Sequence, residues 1–297
     1  MKKLMIAVSA AALCGAVFAD EATTPESPIA SQTVGFNTIT VERGGYYLAA
    51  PQFMDCQEKE GDVQDLAKII TTDVTCVDME DTSWEADGYC ATIMVKTSEY
   101  DPNYDFFYYC YDSDTGDPLP ATPGWWKDDL ETPLTDKLAL GRGAWIVIPN
   151  DEEKFPEASY TFTFAGATMD LTKQGASVPL LNNAYTIAAN SFPAGLTGAN
   201  ITFSPGVVCK DMEETSWEAD GYCVTVMVKT SQQDPNYEFY YYCYDSDTSD
   251  PLPATAGWWK DDLETPWTTP IPAGTAFWIV IPDGLLPDNM QTMTFTF

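Results

Sequence analysis

Residues Tyr222, Val224, Val226 and Val228 interleave with Cys223, Thr225, Met227 and Lys229, the period of two expected of a strand with one buried face. The facing segment, residues 237–244, is aromatic on both faces, which predicts a strand covered on each side. The first half carries the same pair as residues 88–97 and 104–112 around the turn Asp101-Pro102-Asn103. Residues 38–41, 46–50, 144–149 and 160–164 are further short runs rich in β-branched and aromatic side chains, bounded by Gly, Pro, Asp or Asn. Only residues 62–70 show helical spacing, with Val63, Leu66, Ile69 and Ile70 following an acidic start. The pattern predicts an all-β protein with one short helix in its first half.

Residues 76–164 return as residues 209–297, displaced by a constant 133 positions without a gap. Segment 78–90 reappears as 211–223 with one exchange, Asp81 for Glu214, and 110–115 reappears unchanged as 243–248. Two tandem homologous modules, residues 33–166 and 167–297, are therefore expected, with residues 165–168 as the simplest boundary. Each is long enough to bury its own core, and short strands with regular turns suggest a small sandwich or open barrel. Pseudo-twofold packing side by side is one arrangement open to such a pair, although the diverged starts of the copies speak against it. The likeness is tight from Cys76 through the hairpin, an Asp-rich turn and a Trp pair, weaker over 134–160, and mostly lost before Cys76, where the first copy is longer and holds the predicted helix. A function shared by the copies should sit on the central block.

Lys2 and Lys3 precede an apolar, small-residue stretch ending in Val17-Phe18-Ala19, so residues 1–19 read as a signal peptide cleaved before Asp20, and residues 20–32 as a flexible leader. Cys14 raises a lipoprotein alternative, but Leu13 puts a bulky side chain where a lipobox wants a small one. No later run approaches the roughly 20 apolar residues of a spanning helix. The final Thr-Phe-Thr-Phe (294–297) has the aromatic end typical of outer-membrane barrels, yet it recurs inside the chain at 161–164 and so reads as the end of a repeat. The expectation is an exported protein without a membrane span.

Removing the signal takes two lysines with it, leaving 12 basic against 45 acidic residues, a formal net charge of −33. Such a surface repels phosphate backbones, which excludes nucleic acid as a partner. The chain contains no histidine. Ser-His-Asp and Cys-His catalysis and His-ligated metals are thereby excluded, leaving carboxylate-pair or Ser-Lys chemistry.

Seven cysteines remain after signal removal: Cys56, and the equivalent triplets Cys76, Cys90, Cys110 and Cys209, Cys223, Cys243. Antiparallel partners share a constant index sum, so a hairpin turning near Tyr100 sets Cys90 opposite Cys110 and, in the second copy, Cys223 opposite Cys243. Both pairs are predicted as cross-strand disulfides, which a slip of one residue would abolish. Cys56 with Cys76 would leave Cys209 free; Cys76 with Cys209 would leave Cys56 free. Zinc ligation is the alternative, but no Cys-x-x-Cys spacing occurs.

Two local features carry candidate binding chemistry. Asp112, Asp114 and Asp117, matched by Asp245, Asp247 and Asp250, place carboxylates at alternating positions of a tight loop, the hard oxygen donors that calcium prefers. The position where an EF-hand supplies its bidentate Glu is Pro123 or Ala256, and the competing reading is a turn whose Asp side chains cap their own backbone. The second feature is Trp125-Trp126, repeated as Trp258-Trp259, each pair followed by Lys-Asp-Asp. Neighbours on a strand face opposite ways, so one Trp of each pair should enter the core and the other lie at the surface or under a loop; an exposed one beside two carboxylates would suit a sugar platform, and the competing reading is two side chains filling core and inter-repeat contact. Trp84 and Trp217 are further candidates for either role. A glycoside hydrolase could use Asp129 with Glu131, or Asp262 with Glu264, although nothing singles out an acid raised by an apolar pocket.

The opening Val34-Gly35-Phe36-Asn37-Thr38-Ile39-Thr40-Val41, the Tyr-rich hairpin with Gly-Trp-Trp, and the late Pro272-Ala273-Gly274-Thr275-Ala276-Phe277-Trp278 resemble uncharacterised exported bacterial β-repeat proteins. The first copy departs from the late segment, reading Leu140-Gly141-Arg142-Gly143-Ala144-Trp145. The resemblance implies export and a β module and brings no catalytic residue. The expected function is non-enzymatic surface, matrix or adhesive contact with a glycan or cell-surface component; a carboxylate-based hydrolase or a calcium-stabilised envelope protein is the alternative.

Overall fold

The computed structural model describes residues 34–53, 63–96, 103–114, 119, 121–134, 137–139, 141–168, 176–204, 206–229, 236–247, 252, 254–286 and 291–295. The signal and leader segments, Cys14, Cys56, Asp117 and Asp250 lie outside these residues.

The protein is all-β. In the first half, β1 (Val34–Glu42), β11 (Ser159–Ala167) and β4 (Ile70–Thr72) form a three-stranded antiparallel sheet in the order β1-β11-β4. The facing six-stranded sheet orders β2 (Tyr46–Ala49), β10 (Ala144–Val147), β6 (Ala91–Val95), β7 (Asp105–Tyr111) and β5 (Val77–Asp78), with β8 (Gly124–Lys127) also paired to β7. A further ladder joins β3 (Val63–Asp65) to β9 (Lys137–Ala139). The second half repeats both larger sheets. Strands β12 (Ala176–Leu180), β20 (Gln291–Phe295) and β14 (Ile201–Phe203) form one. Strands β13 (Ala184–Ala189), β19 (Ala276–Ile281), β16 (Val224–Lys229), β17 (Tyr237–Tyr244) and β15 (Lys210–Asp211), with β18 (Gly257–Lys260) on β17, form the other.

Alternation explains the layering. On β6 and β7, Ile93, Val95 and Phe107 point inward with Ile146 of β10, and meet Ile39, Val41, Phe162 and Phe164 of the smaller sheet in one buried cluster. In the second half Val224, Val226 and Ile279 meet Val178 and Met293 in the same way. Strands β5 and β15 pair parallel to β7 and β17, a contact that the sequence pattern did not suggest.

The predicted helix over 62–70 is corrected. Only one helical turn, Leu66–Ile69, is present, flanked by β3 and β4. Leu66, Ile69 and Ile70 are buried as their spacing required, but Ile70-Thr71-Thr72 pairs with β11, and a β-branched run with a ladder partner is better satisfied extended.

Ala91 stands opposite Tyr109 and Val224 opposite Tyr242, so the registers place Cys90 against Cys110 and Cys223 against Cys243, as the index sums require. The sulfurs are not bonded: all four are fully buried thiols, which departs from the predicted disulfides. A hydrogen bond with Cys90, then burial, pushes the Cys110 thiol far up, and Cys223 acts likewise on Cys243. Cys76 and Cys209 are half-buried thiols that burial raises to about 12.

The two halves meet through contacts that exchange under a twofold rule. Arg142 bridges to Ala188, and Thr275, which stands 133 positions after Arg142, bridges to Ala49. Ala49 and Ala188 are themselves equivalent, since they pair with Ala144 and Phe277, again 133 apart. Leu48, Ala50, Ile187, Ala189 and Ala276 form a small buried cluster there. Gly143 lies so close to its neighbours that a Cβ would stand 2.6 Å from Ile187 Cγ2 and 2.8 Å from the Cβ of Ala276, its own equivalent. Only one side of the junction can carry the methyl. Gly143→Ala is therefore expected to cost about 1–3 kcal/mol, read as a lowered denaturation midpoint; an unchanged midpoint would show that the junction yields.

Candidate functional site

The Asp-rich loops turn their carboxylates onto their own backbone. Asp112 Oδ1 accepts from the Asp114 N–H and Asp245 Oδ1 from the Asp247 N–H, both at 2.9 Å. Asp78 caps the helical turn after it by accepting from the Glu80 N–H, and its Oδ1 also accepts from the Ser113 N–H; Asp211 does the same for Glu213 and Ser246. Each loop is thus tied to the segment following β5 or β15. Asp112 and Asp245 are fully buried, and Oδ2 of each finds no protein partner. Among the described residues no group of three or more Asp, Glu or Cys side chains converges as a metal site would require. Turn capping accounts for Oδ1 of both residues.

Asp129 and Asp262, the carboxylates considered for hydrolysis, are exposed turn caps. Oδ1 of Asp129 accepts from the N–H groups of Glu131 and Thr132, and Oδ2 accepts from the Thr132 hydroxyl at 2.7 Å; Asp262 repeats all three bonds with Glu264 and Thr265. The Thr hydroxyl, then the backbone N–H groups, hold both carboxyls below the usual carboxylate range. A general acid for glycoside cleavage needs the opposite shift.

The Trp pairs divide as alternation predicts in the first half only. Trp125 is buried on the inner face, its ring 4.9 Å from Tyr109 and 6.5 Å from Phe162, while Trp126 on the outer face is half-buried. In the second half both Trp258 and Trp259 are buried, so the second Trp is covered and offers no platform at the surface. Trp259 is covered by Met212, Ala219 and Leu252 and donates through Nε1 to the Cys243 carbonyl at 3.2 Å. Trp126 Nε1 has no protein partner. Trp84 and Trp217 pack half-buried against the cores in left-handed backbone with φ of 66°, next to Ser83 and Ser216, also left-handed. Such backbone is costly for a bulky side chain, and the segment 78–90 keeps it in both copies.

An open cleft of about 450 Å³ lies beside β8 in the first half. Tyr109, Trp125 and Trp126 form its aromatic side, Ile70 and Thr71 contribute from β4, and Pro123 and Pro133 are on its lining, which contains no acidic side chain. The corresponding space in the second half is filled. Trp267, the counterpart of Leu134, packs 5.5 Å from Trp258 and 4.3 Å from Tyr240, and Phe203 packs 5.8 Å from Trp258 and 5.0 Å from Tyr242. Gly198 approaches so closely that a Cβ would stand 2.6 Å from the Cβ of Trp258.

Compared with known protein families, curated proteins and solved structures, the chain matches none of them.

The cleft therefore stands on its own chemistry: aromatic faces with Thr71 and Thr72 of β4, without charge. Thr72 Oγ1 already donates to the Thr161 carbonyl, and the Trp126 N–H is itself buried. Sequence reasoning found its Trp residues. It missed Tyr109, Ile70 and Thr71, because these reach the site only through the pairing of β7 with β8 and of β4 with β11. No helix among the described residues is long and apolar enough to cross a membrane.

Proposed function

We propose that this is an exported, non-enzymatic β-repeat protein that acts by surface contact, and that its first half holds an uncharged sugar unit in the cleft beside Trp126. The observation that carries the reading is the composition of that cleft. Aromatic faces stack on the C–H faces of a pyranose ring, while the exposed Thr71 offers a hydroxyl to hydrogen-bond with the ring's hydroxyl groups. A lining without carboxylates gives binding and no acid–base pair for hydrolysis. Export follows from the signal-like start, and in an oxidising compartment each facing thiol pair closes to a disulfide. One site per chain is expected, since the second half fills its own cleft.

The test is a glycan array followed by titration of intrinsic Trp fluorescence. A neutral glycan that binds the whole chain should bind Trp126→Ala roughly two- to tenfold more weakly, given stacking of about 0.5–1.5 kcal/mol. No response to any glycan, or an unaltered affinity in the variant, would overturn the proposal.

A further inference from the structure

A second aromatic surface lies at the opposite edge of the six-stranded sheets from the cleft. Tyr46 of β2, Trp145 of β10, Trp278 of β19 and Tyr185 of β13 stand in a row across the junction between the halves. Successive ring centroids are 6.5, 6.0 and 6.3 Å apart, with interplanar angles of 84°, 51° and 84°. The row is symmetric: Trp145 and Trp278 are 133 positions apart, and Tyr46 and Tyr185 pair in register with Val147 and Val280, which are also 133 apart. Tyr46 is 61% and Tyr185 62% exposed, while both Trp rings rest on the buried cluster around Leu48 and Ile187. Tyr104 packs against the same cluster beside Trp145. The outer rings are open to solvent and the inner pair is held by the fold.

We propose that this row is a docking surface for a neutral polysaccharide strand laid across the junction. Singly exposed aromatic residues are ordinary, but four rings in contact, contributed by two parts of the chain, make a continuous apolar surface of the kind that marks recognition. Charge selects the occupant. The row contains no ionic side chain, in a protein whose formal net charge without its first 19 residues is −33. A second copy of the chain or a polyanion would be repelled on approach, and an ionic partner finds no counter-charge in the row. An uncharged strand meets neither cost. Its pyranose rings offer C–H faces to the aromatic rings, and its hydroxyl groups can reach the tyrosine O–H groups. Twofold symmetry suits a ligand that repeats one unit along its length. The row continues the apolar contact between the halves, so the same packing that joins them orients the rings.

The row and the cleft are separate surfaces, and each proposal can fail without the other. The test is affinity electrophoresis of the whole chain through gels holding hydroxyethylcellulose, mixed-linkage β-glucan or galactomannan, with carboxymethylcellulose as the polyanionic counterpart. At least one neutral polymer should retard the protein while carboxymethylcellulose does not. The double variant Tyr46→Ala/Tyr185→Ala should lose that retardation by roughly tenfold or more, with an unchanged melting curve because both side chains are exposed. Trp126→Ala should keep it, which distinguishes loss of the row from loss of the cleft. Retardation by none of the neutral polymers, or undiminished in the double variant, would overturn the proposal. So would a self-associated state in sedimentation that the double variant dissolves, since the row would then be covered by a second copy.

Discussion

Trp125→Ala is expected to destabilise the protein by about 3–5 kcal/mol, and Trp258→Ala by at least as much. Each indole is buried on the inner face of its six-stranded sheet, so truncation leaves a cavity as well as lost transfer energy. Trp125 packs on Tyr109 and Phe162, whereas Trp258 is enclosed by Phe203, Tyr242 and Trp267. The first half has the cleft next to its Trp, and the site can partly collapse or hydrate. The second has three aromatic neighbours and Gly198 close against it, and is less free to relax. Urea denaturation followed by far-UV circular dichroism checks both, and a larger loss from Trp125→Ala than from Trp258→Ala would contradict the packing difference. Trp126→Ala, one position along and half-buried, should cost clearly less than Trp125→Ala.

Oxidation of the facing thiols is the second large effect. Protein recovered from an oxidising compartment is expected to carry Cys90–Cys110 and Cys223–Cys243 bridges, with Cys76 and Cys209 still reduced. In forming each bridge, two thiols lose two protons and two electrons to a disulfide donor, which becomes a dithiol. The loop closed between Cys90 and Cys110 corresponds to about 3 kcal/mol per bridge. Intact mass with alkylation and peptide mapping reads the pairing; reduction should lower the denaturation midpoint. Because Cys110 and Cys243 are fully buried with thiols held far above their ordinary range, they are poor nucleophiles once folded, and oxidation belongs to the folding phase. Alkylation of all four in protein recovered from such a compartment, under denaturing but non-reducing conditions, would remove the expectation.

Particular residues show how far the sequence carried. The thiol registers were readable because an antiparallel ladder conserves its index sum, and the repeat stated that sum twice. The β class followed from period-two runs that need no tertiary knowledge. The helix is shorter than the spacing over 62–70 suggests because Val63, Leu66, Ile69 and Ile70 fit both a helix face and a strand–turn–strand, and only the partners β9 and β11 decide how far it extends. The Trp pairs were found, yet the exposure of the second member depends on what covers the outer face, and Met212, Ala219 and Leu252 do so in the second half. The row of Tyr46, Trp145, Trp278 and Tyr185 left no mark in the sequence. Its members come from four strands, and only the junction brings them side by side.

That junction has a consequence for dilution. Reciprocal bridges between Arg142 and Ala188 and between Thr275 and Ala49 are what two identical subunits would make about a shared axis. Carried on one polypeptide, the association becomes unimolecular, with an effective concentration set by the short connection through Ala167 rather than by the amount of protein present. The paired state should therefore persist at dilutions where a separable dimer of the same affinity would fall apart.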